Sequence, residues 1–148
     1  MRNSIPFLCT SALLAGALLL GGCSTLGSGI LGGLTCNPGT QVQLASPTSN
    51  QTGVSPGIGS ITIVANGNNN TLYSTYNQWQ ITLTDNFGGS VSGSQLSLVP
   101  DPSGPHPYPS DFYYSSSIGQ LTAGRTWTVY LVENNNLCSP DSLGSFST

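Results

Sequence analysis

The chain has 148 residues, with two arginines and no lysine against five acids and one histidine, for a formal net charge of −3. Charged residues are only 5% of it, against roughly 25% in an average domain, so solubility must rest on Ser, Thr, Asn, Gln and Gly. Arg2 and Arg125 make no basic patch that could hold a phosphate backbone, which excludes nucleic acid as a partner, and the length suits one ordinary domain rather than two.

The first element in chain order is apolar. Arg2 supplies one positive charge, and Ile5 to Leu20 then run without any charge, which is the charged start and apolar middle of a secretory signal. A membrane-spanning helix needs about 20 apolar residues. This run is shorter and meets Gly21 and Gly22 at once, so export with cleavage is expected over residues 1–22. No A-x-A-like site follows; a cysteine stands there instead. Leu20-Gly21-Gly22-Cys23 resembles the lipobox of bacterial lipoproteins, with Gly21 a less usual middle residue. The resemblance implies cleavage before Cys23, a diacylglyceryl thioether on its sulfur and a palmitate-like acyl chain on its amine. More than one chain is the condition for stable anchoring. The resemblance further implies that Ser24, standing where Asp would retain the protein, sends it to the outer membrane of a cell with two membranes; otherwise the cell membrane is its place, facing periplasm or exterior.

Residues 23–35 are Gly- and Ser-rich and read as a tether. Cys9 would leave with the signal and Cys23 would take the lipid, so Cys36 and Cys138 remain, the right number for one bridge in an oxidising compartment. The closed loop of about 100 residues would contribute up to ~4.7 kcal/mol in the chain-entropy treatment.

Residues 36–148 show short runs of period-two alternation between turn signals, and no helical stretch of convincing period. Val42 and Leu44 mark a first strand ended by Pro47. Ile58, Ile61 and Ile63 mark a second, followed by the turn-rich Asn66 to Asn70. Trp79, Ile81 and Leu83 give the cleanest alternation, and Asp85 to Gly89 make a hairpin-like turn. Leu96 and Leu98 alternate before Pro100. Five prolines between Pro100 and Pro109 forbid a ladder-bonded strand and predict a rigid connection. Phe112 to Ser116 recovers strand character, Arg125 to Glu133 places Trp127, Val129 and Leu131 on one face, and Leu143 to Phe146 forms the last strand.

About seven short strands spaced by turns predict an all-β fold, a single antiparallel sandwich. Leu121-Thr122-Ala123-Gly124-Arg125-Thr126-Trp127-Thr128-Val129 resembles the entry to the penultimate strand of bacterial immunoglobulin-like and fibronectin type III-like domains. Trp127 stands where those families usually place a corner tyrosine, so the hydroxyl bond made there would be absent or replaced by the indole N–H. The resemblance implies an immunoglobulin-like β-sandwich and little about function, because that architecture hosts many roles.

For chemistry, the sequence offers little. His106 lies in the proline segment between Asp101 and Asp111, but no nucleophile elbow accompanies it, so it reads as a loop histidine and catalysis is not expected. The five scattered acids form neither a glycosidase pair nor a calcium-loop pattern; no metal and no cofactor is expected. The tyrosines suggest one alternative, a carbohydrate-binding module in which Tyr108, Tyr113 and Tyr114 present flat rings beside hydroxyls and amides. The favoured expectation is a non-catalytic envelope domain, held to the membrane through Cys23, with a structural, adhesion or protein-binding role. Its partners would be envelope proteins or polysaccharide. The scarcity of titrating groups predicts a stability that varies little with pH.

Overall fold

The computed structural model describes residues 38, 40–68, 71–102, 106–134 and 138–148, all within one compact unit, Thr35–Thr148. The expected signal segment, Cys23, the tether and Cys36 lie outside the described residues. Eight strands are present among the described residues: β1 Val42–Ser46, β2 Ser60–Asn66, β3 Trp79–Asp85, β4 Ser90–Gln95, β5 Ser97–Val99, β6 Asp111–Ser117, β7 Thr126–Glu133 and β8 Asp141–Ser147. They form two four-stranded antiparallel sheets, ordered β1-β2-β6-β5 and β4-β3-β7-β8, a two-layer arrangement consistent with a β-sandwich.

Alternation explains the layers. Leu44, Ile63 and Tyr114 lie in register across the first sheet, while Ile81 faces Leu131 and Leu83 faces Val129 in the second. All are buried in one cluster that also holds Trp79, Trp127 and Phe146. Full burial of each such aliphatic side chain stabilises by roughly 1.5–3 kcal/mol, so this shared core holds the two sheets together.

The expected single strand around Leu96 and Leu98 is two strands in different sheets. β4 pairs with β3 and β5 with β6, and the switch falls at Leu96, which is 3% exposed and donates its amide to the Trp79 carbonyl at 2.8 Å. The strand missing from the sequence reading is β4, SVSGSQ. Its single apolar residue, Val91, leaves no alternation to read, and it is held by backbone pairing and by a tight approach to β6. The Ser116 hydroxyl donates to the Ser94 carbonyl at 2.6 Å, and a Cβ on Gly93 would stand 2.3 Å from that hydroxyl oxygen.

A second corner closes the opposite side. The outer edge of β8 is bonded by the chain that follows β1: Asn50 N–H donates to the Ser145 carbonyl at 2.6 Å, Ser147 N–H to Gln51 at 2.9 Å and Val54 N–H to Ser147 at 3.0 Å. That covers an edge which would otherwise invite pairing with another chain. Gly144, at φ +131°, sits where a Cβ would meet the Ser49 hydroxyl at 2.6 Å.

One short helix, α1 Leu72–Thr75, continues into a tight helical turn at Tyr76–Gln78. Four residues are too few to display a helical period, which is why alternation alone did not reveal it. Fully buried Leu72 pins it, and both the Leu72 amide and the Thr71 hydroxyl donate to the Pro38 carbonyl. Among the described residues no helix is long and apolar enough to cross a membrane.

Candidate functional site

The outer faces of the two sheets differ in kind. On the first sheet, Gln43, Val64, Tyr113 and Val99 stand in one register row. Val64 is 1% and Tyr113 4% exposed, although alternation points both away from the core, because the proline segment lies over them. Pro102 and Pro107 join Ala45, Val64 and Tyr113 around a cleft of about 360 Å³.

A carboxylate latches that segment. Asp111, at the start of β6, accepts the Tyr108 amide at 3.1 Å and the Tyr113 hydroxyl at 3.2 Å, and its Oδ2 lies 3.2 Å from His106 Nδ1. Asp101 Oδ1 approaches the same imidazole nitrogen at 3.6 Å. The Asp111 side chain is 2% exposed while that of His106 is 48% exposed. Burial pushes the Tyr113 hydroxyl above its ordinary pKa of 10.0, and the negative charge and hydrogen bond of Asp111 push it further. Burial, then Asp111, raise Tyr108 in the same sense. The structure thus brings His106, Asp101 and Asp111 together. Among the described residues no serine hydroxyl is bonded to the imidazole, and the contacts that are present fasten the loop to the start of β6.

The three tyrosines singled out in the sequence do not form a shared platform. Tyr114 is fully buried, its ring 5.8 Å from that of Tyr76; Tyr113 is buried beneath the prolines, and only Tyr108 is partly exposed. Adjacent tyrosines on a strand must point to opposite faces, a fact available from the sequence. Exposed aromatic surface lies elsewhere, at Tyr73 (50%) and Phe87 (72%).

Phe87 belongs to the β3–β4 turn. The Asp85 carboxylate accepts the Phe87 amide at 2.9 Å and the Gly89 amide at 2.6 Å. Arg125 Nη1 lies 3.8 Å from Asp85 Oδ2 and its guanidinium stacks 3.9 Å from the Phe87 ring centre. Burial alone would raise the Asp85 pKa, but the amides of Phe87 and Gly89 and the charge of Arg125 outweigh it and hold the carboxyl below 3.8. Beside this turn Trp127 Nε1 is buried with no hydrogen-bond partner among the described residues, so the corner hydroxyl bond of the resembled families has no indole substitute.

The outward rows described on the second sheet are uncharged and mostly polar. Ser90, Thr84, Thr128 and Ser145 form one row across all four strands, and Ser92, Thr82 and Tyr130 form the next. Thr82, Thr84, Tyr130, Val132 and Pro140 line a depression of about 230 Å³ there. Sequence reasoning did not single out this depression, although its lining was written in the polar positions of ITLT and TWTVY.

Cys138 is 7% exposed and engaged with a partner. Pro38 and Thr40 line a cleft of about 430 Å³ with Asp141, Ser142 and Leu143, so the chain just after Cys36 runs beside the chain just after Cys138. Comparison with known proteins returns no matching family model, no matching curated protein and no matching solved structure.

Proposed function

We propose that the chain is an exported, lipid-anchored envelope protein whose immunoglobulin-like domain acts without catalysis, in a structural, adhesion or protein-binding role. The observation that carries this reading is the order of its parts: an uncharged apolar run, Leu20-Gly21-Gly22-Cys23, a Gly-rich stretch, and then a two-sheet unit beginning at Thr35. The strand orders β1-β2-β6-β5 and β4-β3-β7-β8 support the immunoglobulin-like assignment, because constant-type domains place their first, second, fifth and fourth strands in one sheet and the third, sixth and seventh in the other. Here β4 extends the second sheet by one edge strand. A Cys36–Cys138 bridge is part of the proposal, supported by the burial and engagement of Cys138 and by the shared cleft of Pro38 and Asp141.

The test is the intact mass of protein extracted from membranes, with and without reductant. The expected mass begins at Cys23, carries diacylglyceryl and acyl groups, and gains two hydrogens on reduction. An unmodified Cys23 overturns the anchor, and an unchanged mass on reduction overturns the bridge.

A further inference from the structure

We propose that the outer face of the β4-β3-β7-β8 sheet binds a neutral polysaccharide, with one sugar ring stacked against Tyr130 and hydrogen-bonded to Thr82 and Thr84. The proposal rests on the non-catalytic adhesion reading above and names the partner for it.

The face has three properties that together select this ligand chemistry. Its rows contain only hydroxyl, amide and apolar side chains, among them Gln80 and Gln95 in register, Ser92 with Thr82, and Thr84 with Thr128. No side chain in these rows is charged, so neither an anionic nor a cationic polymer finds a counter-charge. The hydroxyls of Thr82, Thr84, Thr128 and Tyr130 make no hydrogen bond within the described residues, although Thr82, Thr84 and Tyr130 each remain partly exposed. They are donors and acceptors left available for an external partner. Finally, the depression pairs this polar floor with apolar walls from Tyr130, Val132 and Pro140. A pyranose presents C–H bonds on one side and hydroxyls around its rim, which matches a ring wall beside threonine hydroxyls, the usual make-up of a small-ligand site.

A protein partner fits less well. Protein interfaces draw their energy from several buried aromatic or Arg anchors at the centre of the patch, and this face offers one tyrosine. A polymer of repeating sugars suits it better than a single sugar, because the hydroxyl row from Ser90 to Ser145 crosses four strands, about 14 Å at the usual strand spacing. Weak contacts repeated along one chain then add.

The experiment measures depletion of the full-length chain, purified in detergent, from suspensions of cellulose, chitin and insoluble mannan, with the polyanion heparin on beads as a charged control. Saturable binding to at least one neutral polymer is expected. Tyr130→Ala and the paired Thr82→Val, Thr84→Val variant should each weaken it about tenfold, and Tyr108→Ala, on the opposite face, should leave it unchanged. The threonine pair decides the matter if Tyr130→Ala folds poorly, since valine keeps the shape and strand preference of threonine. Absence of binding to all three neutral polymers, equal binding by the threonine pair, or equal retention on heparin overturns the proposal. The mass of Cys23 is a separate readout, so loss of the anchor reading and loss of the polysaccharide reading are distinguishable.

Discussion

The two sheets share one core but finish their outer faces in opposite ways. Over β1-β2-β6-β5 the outward residues Val64 and Tyr113 are covered by the proline segment, and Asp111 fastens that cover through the Tyr108 amide, the Tyr113 hydroxyl and His106. Over β4-β3-β7-β8 the outward residues are mostly hydroxyls and amides, with Val132 the buried apolar exception beside Pro140. The difference follows from side-chain chemistry. Apolar outward positions need a lid, whereas a lid over Thr82 and Thr84 would have to satisfy every hydroxyl it took from water. The covered face therefore contributes stability through its lid, whereas the polar one keeps Thr82, Thr84 and Tyr130 partly in water.

The sharpest way to break this contrast is to truncate one tyrosine on each face. Tyr113→Ala should cost about 3 kcal/mol, the low end for emptying a buried aromatic site, since it removes both the surface under the prolines and a bond to Asp111. Tyr130→Ala should cost about 1 kcal/mol or less, as partly exposed strand positions do. Denaturant midpoints of the two variants give the comparison directly, and equal losses would mean that both faces are covered.

The latch itself is the next largest effect. Asp111→Ala leaves the Tyr113 hydroxyl and Tyr108 amide without their acceptor, and a partner stranded in this way costs about 2 kcal/mol. Hydrogen exchange at the Tyr108 amide should accelerate in this variant, while the amides of Thr82 and Thr84 on the other sheet keep their wild-type rates. Acceleration spread evenly over both sheets would show that Asp111 supports the whole core instead.

How much of this was legible before the fold was known depended on the type of side chain. Trp79, Ile81, Leu83, Trp127, Val129 and Leu131 announce their strands because alternation of large apolar residues has no other economical explanation. β4 announces nothing, since Ser, Gly and Gln pair through their backbones and leave no pattern. The break at Leu96 is equally silent: a change of sheet needs only one buried residue, and the sequence around it still alternates. That the tyrosines share no face has a simpler reason. Tyr113 and Tyr114 are neighbours, and neighbours on a strand cannot share a face. The hydroxyl face was written in the same alternation as the core, in the positions between the apolar ones, but polar residues there are the default for any strand and so drew no attention.

Smaller effects appear with pH, and they divide by location. Asp85 is held below 3.8 in the folded chain, so the stability it contributes is present above that value and is lost as pH falls through its lower folded pKa. Tyr113 is raised above 10.0; its contribution is complete below 10.0 and fades as pH climbs from there through the raised value. Between these limits the midpoint should stay nearly flat, in keeping with how few groups titrate. Asp85→Asn should flatten the acid limb, and Tyr113→Phe should shrink the alkaline limb to the part due to Tyr108, which is raised in the same sense. Denaturant midpoints between pH 2 and pH 11 check both, and an alkaline limb unchanged by Tyr113→Phe would assign it to other groups.

The smallest expected effect is the most informative about the polar face. Thr82→Val exchanges a hydroxyl for a methyl group of nearly the same shape, and both residues favour strands. Where a hydroxyl bonds a partner inside the domain, that exchange strands the partner and costs about 1–3 kcal/mol. Where the hydroxyl faces water, the folded and unfolded chains lose the same hydration, and the change stays within about 0.5 kcal/mol. Thr82 makes no such internal bond among the described residues, and its cross-strand neighbours Ser92 and Tyr130 make none to it. A midpoint equal to wild type is therefore expected from Thr82→Val. Lower affinity for a neutral polymer alongside that midpoint would show the hydroxyl serving the partner rather than the fold, whereas a loss above about 1 kcal/mol would show that this face, like the other, is closed by bonds of its own.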